Sequence, residues 1–341
     1  MQFLIFYFHI DIYIENIFRI MSLYLKLFEN HNQYTAYTAS TEFIKPNVSS
    51  CVQDNEVHYS PLHDYSQDYL TTVALEEGTI SFNIWKNMGT DMITSISYST
   101  DNGETWTTTN NTNSKSDNLA INVNVNEGDK VLWKGDAQQM GYYDEDDYDD
   151  YVGSFFSSNR EFDVEGNVMS LLYGDNFKGE DTLEYDGQFA CLFYDYDEDN
   201  ECNVVNARNL SLPATTLANY CYYSMFRDCQ SLATAPSVLP ATTLAEGCYN
   251  DMFHFCRNLT TAPELPATTL TNSCYNNMFQ GCASLNYIKA MFTTAPSTTY
   301  TNNWVNGIIT NGIFVKNSAA TWNVRGDNGI PTRWTVETAS A

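Results

Sequence analysis

The chain has 341 residues, of which 43% are apolar, and 16 basic against 42 acidic side chains give a formal net charge of −26. This length leaves room for two or three domains, and the apolar share is large enough to form their cores. Nucleic acids and anionic membranes are held by clustered Lys and Arg, so the charge balance argues against both as partners.

Residues 1–20 open with an apolar run that starts at Phe3, contains His9 and is followed by Asp11. The run is far too short to insert across a membrane. It also lacks the basic start and the small-residue cleavage site of a signal peptide, which is the alternative interpretation. We therefore expect residues 1–20 to be an upstream extension, with the working protein starting at Met21.

Residues 21–66 mix short apolar stretches with polar residues and the breakers Pro46 and Pro61. Such a segment cannot form a core of its own, so we expect an extended attachment segment that runs along a partner or a neighbouring subunit. His58 and His63 lie close to acidic residues, but their spacing is not that of a metal site. We expect solvated or capping roles here.

Residues 67–172 contain runs rich in Thr, Val, Ile and Tyr, such as LAINVNVNEGDKVLWKG from Leu119, separated by turn sequences such as DNG and NEGD. Alternation of this kind is typical of half-buried strands. Short strands at this spacing predict an N-terminal antiparallel β-sandwich of about a hundred residues.

Within this region, Ser99–Trp106 reads STDNGETW and resembles the Asp-box of sialidase-like propellers. We expect a hairpin in which Asp101 accepts turn amides, Gly103 has a positive φ and Trp106 packs back on the sheet. A sialidase would show several boxes and an arginine cluster for the substrate carboxylate. This chain has one box and seven arginines, so we interpret the motif as structural.

The acidic excess is local, because residues 142–201 contain 19 acids and two bases. The run YYDEDDYDDY, Tyr142–Tyr151, is expected to form a solvated loop, with a calcium site as the alternative. Asp195–Asp199 also has the 1-3-5 acid spacing of an EF-hand loop, but Asn200 and Asn206 stand where that loop needs Gly and Glu. We assign no metal or cofactor, and calcium binding stays open.

A sequence repeat occurs three times between Asn209 and Phe292. Its three copies are LPATTLANYCYYSMFRDC, LPATTLAEGCYNDMFHFC and LPATTLTNSCYNNMFQGC. Pro213, Pro240 and Pro266 lie 27 and 26 residues apart. A fixed period in this range predicts a solenoid, because each unit buries its apolar face only against its neighbours. We place the solenoid at residues 173–292.

Each repeat is predicted to form a short strand followed by a helix of about ten residues. Leu217, Cys221 and Met225 lie at i, i+4 and i+8, and Tyr222 and Phe226 lie beside them. We expect these positions and their counterparts in the later repeats to form the core. Residues 187–210 read as a damaged first repeat, in which the pair Leu192–Phe193 stands at the place of Met–Phe, as expected of a terminal unit.

The repeated cysteines are predicted to be reduced and buried. Two residues eight apart on a helix are separated by roughly 12 Å, and counterparts on neighbouring helices by about 8–10 Å, whereas a disulfide needs less than about 7 Å. Short C-x2–4-C pairs, which zinc would need, are absent from the sequence.

The repeat resembles the BspA-like (Treponema-type) leucine-rich repeat, through Met225–Phe226, Cys229 and Ser231–Leu232 and their counterparts. Asn258 replaces the Ser in the second unit, Met replaces the family's Ala, and the strand is rich in Pro. The resemblance implies a leucine-rich-repeat solenoid and, by analogy, surface adhesion. Residues 21–61 also resemble the leader of structural proteins in phages and prophages of gut Bacteroidetes.

Residues 293–341 begin with a spacer rich in Thr and Asn and end with two strand-like runs that contain Trp322 and Trp334. We expect a β C-terminal cap that covers the end of the solenoid. The predicted fold is thus mixed α and β: an N-terminal β-sandwich, a short solenoid and this cap.

The sequence contains no catalytic motif that we recognise, so we expect a non-enzymatic binding protein. Its ligand would be a host-surface glycan or protein, and other virion or surface-assembly subunits are further partners. A tail- or fibre-type virion protein is favoured, with a secreted bacterial surface adhesin or a purely structural subunit as alternatives. The binding residues cannot be named, but positions that differ between repeats are the most informative: Arg227/His254/Gln280 and Asp228/Phe255/Gly281.

Overall fold

The computed structural model describes residues 63–85, 88–111, 119–144, 150–195 and 202–339. The chain divides into two compact units, Met1–His63 and Asp64–Ala341, and the description below concerns the second. The predicted upstream extension and nearly all of the attachment segment lie outside the described residues. Asp64 caps a short 3-10 helix, Tyr65–Gln67, by accepting a hydrogen bond from the Ser66 amide at 3.1 Å.

The described part of the chain is mostly β-structure. The single α-helix in it, α1 (Ser170–Tyr173), is followed by a 3-10 helix, Gly174–Asn176. The strands are β1 (Leu70–Ala74), β2 (Gly78–Ile84), β3 (Ile93–Ser99), β4 (Thr107–Asn110), β5 (Leu119–Val125), β6 (Lys130–Ala137), β7 (Gly141–Asp144), β8 (Asp150–Gly153), β9 (Phe155–Ser158), β10 (Phe162–Asn167), β11 (Val204–Ser211), β12 (Tyr287–Ala290), β13 (Ile313–Lys316) and β14 (Thr335–Thr338).

These strands form four sheets. A six-stranded sheet has the order β11-β10-β1-β6-β3-β4, a three-stranded sheet has the order β5-β2-β9, and β7 pairs with β8. All these pairings are antiparallel except that of β10 with β11. The fourth sheet, β12-β13-β14, is parallel throughout. Side chains of β5 alternate between buried and exposed, which confirms the strand period expected from its sequence.

Aromatic side chains join the six-stranded and the three-stranded sheets. The ring of Phe82 on β2 lies 4.8 Å from that of Phe156 on β9 and 6.3 Å from that of Trp133 on β6. Trp133 is fully buried, and its indole N–H donates to the Thr72 hydroxyl at 2.9 Å. Burial of this polar atom is therefore compensated by a hydrogen bond.

The Asp-box forms the predicted hairpin between β3 and β4. Asp101 accepts the Thr105 amide at 2.8 Å, and Gly103 has a φ of 88°. The ring of Trp106 packs on that of Tyr69, with centroids 5.0 Å apart. The hydrogen-bonding capacity of Asp101 is used within the turn, as expected of a structural hairpin.

The repeats form turns where helices were predicted, so the helix prediction is wrong. We name five stretches the turn segments: residues 187–194, 219–229, 246–256, 272–282 and 299–307, in which the backbone makes successive hydrogen-bonded turns. In the second of them, Tyr220, Ser224 and Asp228 have φ between 51° and 56°. A left-handed residue at every fourth position makes each turn four residues long, and an α-helix does not contain such residues.

Successive turn segments are joined by backbone hydrogen bonds. The amides of Tyr220, Tyr222 and Ser224 donate to carbonyls of the next segment, at Glu246, Cys248 and Asn250. Other amides donate within their own segment, as those of Tyr223 and Met225 do to the Tyr220 and Tyr222 carbonyls. The apolar period that suggested a helix is a period of four, and it arises from these turns.

The repeated positions form the core, as predicted. Cys221, Met225, Tyr222 and Phe226 are at most 1% exposed. Phe193, Phe226, Phe253 and Phe279 stack in one column, with centroid separations of 4.9, 5.5 and 5.8 Å. Phe193 thus takes the place in this column that the phenylalanines of the Met–Phe pairs take in the later repeats.

The expectation that the repeated cysteines are all reduced is wrong for one pair. Cys202 and Cys229 form a disulfide with their Cα atoms 4.7 Å apart. They occupy equivalent positions 27 residues apart, and equivalent positions in hydrogen-bonded neighbours are about 4.8 Å apart instead of a helix-packing distance. The other described cysteines are free and buried, as predicted: Cys191, Cys221, Cys248, Cys256, Cys274 and Cys282.

The strands predicted for the repeats are reduced in the middle of the array. There the structure shows isolated parallel bridges, such as Val238 with Glu264 and Thr261 with Tyr287. Prolines interrupt these stretches, and a proline has no N–H to donate to a ladder. Continuous strands occur at the two ends, as β11 and as β12–β14.

The bonding pattern does not stop at Phe292. The amides of Tyr275 and Phe279 donate to carbonyls in the turn segment 299–307, at Tyr300 and Trp304. Strands β13 and β14 extend the parallel sheet begun by β12. Trp322 and Trp334 are buried, and the Trp322 ring stacks on Phe292 at 5.1 Å.

Candidate functional site

Four tyrosines from separate parts of the chain line an open depression of about 420 Å³. Strands β7 and β8 contribute one wall and the turn segments 219–229 and 246–256 the other. We name it the tyrosine pocket, and its lining residues are Tyr143, Asp150, Tyr151, Tyr220, Tyr223 and Asn250.

Two glycines allow the tyrosine rings to lie against the turn segments. Gly187 has a φ of 70°, and a Cβ there would lie 2.5 Å from the Tyr151 ring. Gly247 has a φ of 56°, and a Cβ there would collide with the Tyr220 ring. Both positions need glycine for two reasons: the backbone has a positive φ, and a tyrosine ring occupies the space that a Cβ would fill.

Tyr151 is the centre of the ring cluster. Its ring stacks on Tyr220, with centroids 4.8 Å apart and planes 22° apart. It also meets Tyr143 edge-on at 5.2 Å and Tyr223 at 5.7 Å. All four rings also line the depression, so a group seated there borders more than one of them.

Three of the four phenols of this pocket are held in the protonated form. Burial, and then the charges of neighbouring carboxylates, raise the pKa values of Tyr151, Tyr220 and Tyr223. The hydroxyl of Tyr223 donates to Asp150 Oδ2 at 3.1 Å, and the Tyr151 amide donates to Asp150 Oδ1 at 2.7 Å. The pocket thus combines neutral aromatic rings with one fixed carboxylate.

The repeat positions singled out in the sequence lie in rows on the same turn segments. Arg227 lies over the Tyr194 ring at 5.3 Å and 3.5 Å from Asp228. Phe255 packs over Gly281, where a Cβ would collide with its ring, and stacks on the His254 ring at 4.2 Å. Part of this row is consequently used for packing between repeats.

A buried acid and a buried histidine meet between these rows. His254 Nδ1 lies 3.2 Å from Asp251 Oδ1, and both side chains are nearly inaccessible. Burial raises the pKa of Asp251 to about 6, although Arg227 and a hydrogen bond from Asn277 oppose the shift. Burial lowers the pKa of His254 to about 4, and Arg227 adds to that effect.

Asparagines continue the polar surface from the tyrosine pocket along the turn segments. We name the residues Asn250, Asn276, Asn277, Asn302 and Asn303 the amide surface. They are half-buried, and some bond to each other's segments, as when the Asn302 amide donates to Asn276 Oδ1 at 2.9 Å. Fixed amides of this kind offer donors and acceptors that need little further ordering on binding.

A larger depression, of about 670 Å³, lies at the start of β2 and next to β5. Its lining includes Glu76, Glu77, Asn126 and Arg160 and no aromatic side chain. Ligand sites combine apolar or aromatic area with a few polar groups. For this reason we favour the smaller tyrosine pocket as the functional site.

The acidic run predicted to be a solvated loop is in part β-structure. Its first residues end β7, and Asp150 and Tyr151 begin β8, so the prediction is wrong for these flanks. Residues 145–149, and 196–201 of the second acidic stretch, lie outside the described residues. Within the described ranges, no group of three or more His, Cys, Asp or Glu side chains could hold a metal ion.

Sequence reasoning missed the tyrosine pocket. A usable signal was present in the repeats, because Tyr220 and Tyr223 stand where the next repeat has Gly247 and Asn250. The other wall could not be found this way, since β7 and β8 are far away in sequence.

No helix in the described part of the chain is long and apolar enough to cross a membrane. The chain matches no protein-family model, no curated protein and no solved structure.

Proposed function

We propose that this chain is a non-enzymatic binding protein that presents the surface of a leucine-rich-repeat solenoid to a glycan or protein. In this proposal β1–β10 form an N-terminal β-sandwich and the turn segments are successive coils of the solenoid. The columns of stacked rings and the hydrogen bonds between successive turn segments support that arrangement, because each unit meets mainly its neighbours.

The observation that carries the proposal is the tyrosine pocket with the amide surface beside it. Tyrosines supply large, rigid contact area at a low entropic cost, together with a hydroxyl that can form hydrogen bonds. Asn250 belongs to both features, so a ligand that fills the pocket can extend along the amides. Pocket and amides together resemble a recognition surface for sugar hydroxyls or for a polar protein surface.

A non-catalytic role is supported by the state of the nucleophiles in the described region. Burial raises the pKa values of Cys221, Cys248 and Cys256, so their thiols are poor nucleophiles. His254 contacts Asp251 and Phe255 in a buried position instead of facing the tyrosine pocket. We assign no cofactor and no metal to this function.

We place the protein in a virion, as a tail- or fibre-type component, on the resemblance of residues 21–61 to phage structural leaders. Its partners would be a host-surface glycan or protein and other virion subunits, without nucleic acid and without membrane insertion. The acidic charge supports the exclusion of nucleic acid. A secreted bacterial surface adhesin and a purely structural assembly subunit are the competing proposals.

Binding of the labelled full-length chain to host cells and to a glycan array tests this proposal. Tyr143→Leu removes a half-exposed pocket wall, and Tyr185→Leu is the matched control because Tyr185 is similarly exposed outside the pocket. We expect saturable binding that Tyr143→Leu weakens by about tenfold, the factor that 1.4 kcal/mol represents, and that the control leaves unchanged. Absence of binding to every surface would favour a structural subunit.

A further inference from the structure

We propose that the tyrosine pocket binds a quaternary ammonium group of the choline type. This inference rests on the proposed binding function and names the chemical group that its site takes. The supporting observations are the four rings that line the pocket, the carboxylate of Asp150 in the same lining, and the other carboxylates nearby.

The rings supply the faces that an organic cation needs. A cation is attracted to an aromatic face when it lies within about 6 Å of the ring centroid. The four rings form one cluster around Tyr151, whose centroid lies 5.2, 4.8 and 5.7 Å from those of Tyr143, Tyr220 and Tyr223. All four line the depression, so a group seated there borders more than one ring. Several neutral rings that converge on one cavity are the usual receptor for a quaternary ammonium.

The charges around the pocket favour a cation. Asp150 lines the cavity, and Asp186 and Glu246 lie close enough to raise the pKa values of Tyr151 and Tyr220. The guanidinium of Arg227 interacts with Tyr223, but Arg227 does not line the pocket, and Asp251 and Asp228 lie close enough to offset its charge. Carboxylated or phosphorylated groups would be repelled here, because the local field is negative.

The lining of the pocket favours a quaternary over a primary ammonium, because four of its six residues are tyrosines. The Asp150 carboxylate is held in place by hydrogen bonds from the Tyr223 hydroxyl and the Tyr151 amide, one to each oxygen. A primary ammonium is compact and strongly hydrated, and it needs acceptors for three donors. A quaternary ammonium donates no hydrogen bond and needs only aromatic faces and a negative charge nearby, which is what this pocket supplies.

A neutral apolar group is the main competing occupant, and a matched pair of probes separates the two. Choline and 3,3-dimethylbutan-1-ol have the same shape, but the alcohol carries carbon in place of the charged nitrogen. A third probe, Nα-acetyl-lysine methylamide, carries a primary ammonium at the end of its side chain. Binding of each to the full-length chain is measured by calorimetry.

We expect choline to bind about tenfold or more tightly than the neutral isostere, since desolvated cation–π contacts contribute up to about 2 kcal/mol. It should also bind more tightly than the lysine derivative. Asp150→Asn keeps the shape of the side chain and removes its charge, and it should weaken choline binding several-fold without changing the isostere's affinity. Tyr143→Leu should weaken choline binding, and Tyr185→Leu should not.

Three results would overturn the inference: no saturable choline binding, equal affinity for the isostere, or tighter binding of the lysine derivative. These failures are distinguishable from failure of the proposed function. A chain that binds cells or glycans but not choline refutes only the ammonium assignment. A chain that binds choline but no host surface refutes the surface-binding role.

Discussion

The ring of Tyr151, on strand β8, stacks on that of Tyr220, in the turn segment 219–229, with centroids 4.8 Å apart. Tyr220 has a φ of 52°, an uncommon conformation for an aromatic residue. The stack joins the β7–β8 hairpin to the first complete repeat, and both of its rings line the tyrosine pocket. The shape of the pocket consequently depends on the turn beneath Tyr220.

Gly247→Ala tests that dependence. The added Cβ would strain the left-handed backbone and collide with the Tyr220 ring, so we expect a loss of about 1–3 kcal/mol in the free energy of unfolding. Gly128→Ala is the control, because Gly128 has a φ of 83° but no atom within 4 Å of the added Cβ. Urea unfolding should show the larger loss for Gly247→Ala, and equal losses would contradict the contact with Tyr220.

The column of stacked phenylalanines should contribute strongly to stability. Phe253 is fully buried and stacks on Phe226 and Phe279, so Phe253→Ala should reduce the free energy of unfolding by about 3–5 kcal/mol. Phe253→Leu keeps most of the volume and should cost clearly less. Chemical denaturation measures both, and a small effect of the alanine variant would show that the column is not part of the core.

The disulfide should stabilise the fold in a way that depends on redox conditions. Cys202 and Cys229 close a loop with a sequence separation of 27, and chain entropy then gives a stabilisation of about 3–4 kcal/mol. Cys202→Ala should lose this amount under oxidising conditions, and added dithiothreitol should bring the native chain down to the level of the variant. Cys282→Ala, at an equivalent free cysteine, keeps the disulfide and should lose about as much stability on reduction as the native chain does. If dithiothreitol does not change the free energy of unfolding of the native chain, the disulfide is contradicted.

The Asp251–His254 pair makes a prediction about pH. Near pH 5 the folded pair holds one proton, because the pKa of Asp251 is raised to about 6 and that of His254 is lowered to about 4. The unfolded pair also holds one proton there, on the histidine. The pair therefore contributes little pH dependence in this range, whichever group carries the proton when folded.

Single variants should expose opposite slopes. In His254→Gln, the folded state takes up more protons through Asp251, so stability should fall as pH rises through about 4 to 6. In Asp251→Asn, the unfolded state takes up more protons through His254, so stability should fall as pH decreases from about 6.5 toward 4. Each slope is limited to about 1.4 kcal/mol per pH unit. Urea unfolding across this range measures them, and slopes of the same sign would contradict the burial of the pair.

The sequence was sufficient to predict which repeated residues are buried, because Cys221, Met225 and Phe226 recur at fixed places. It was not sufficient to predict the backbone that buries them. A period of four is close to the helical 3.6, and the decisive left-handed residues include Tyr220 and Phe255, which have no special preference for that conformation. The helix prediction then gave the wrong distance between equivalent cysteines, and so the Cys202–Cys229 disulfide was missed.

The candidate site was harder to predict for a different reason. Its two walls are joined by tertiary contacts such as that between Tyr223 and Asp150, which no local pattern indicates. The acidic composition around Asp150 suggested solvation, yet Asp150 and Tyr151 belong to a paired strand and contact Tyr223 and Tyr220 of the repeats. Variation between repeats is the usable signal, because Tyr220 and Tyr223 are replaced by Gly247 and Asn250 in the next repeat.

Hydrogen–deuterium exchange of the full-length chain, with and without the surface glycan or protein that binds most tightly in the array and cell assays, tests the location of the binding surface most directly. We expect slower exchange in β7, β8 and the turn segments 219–229 and 246–256, with the β2–β5 depression unchanged. Protection confined to that depression, or to parts of the chain outside the turn segments and the β7–β8 hairpin, would contradict the account.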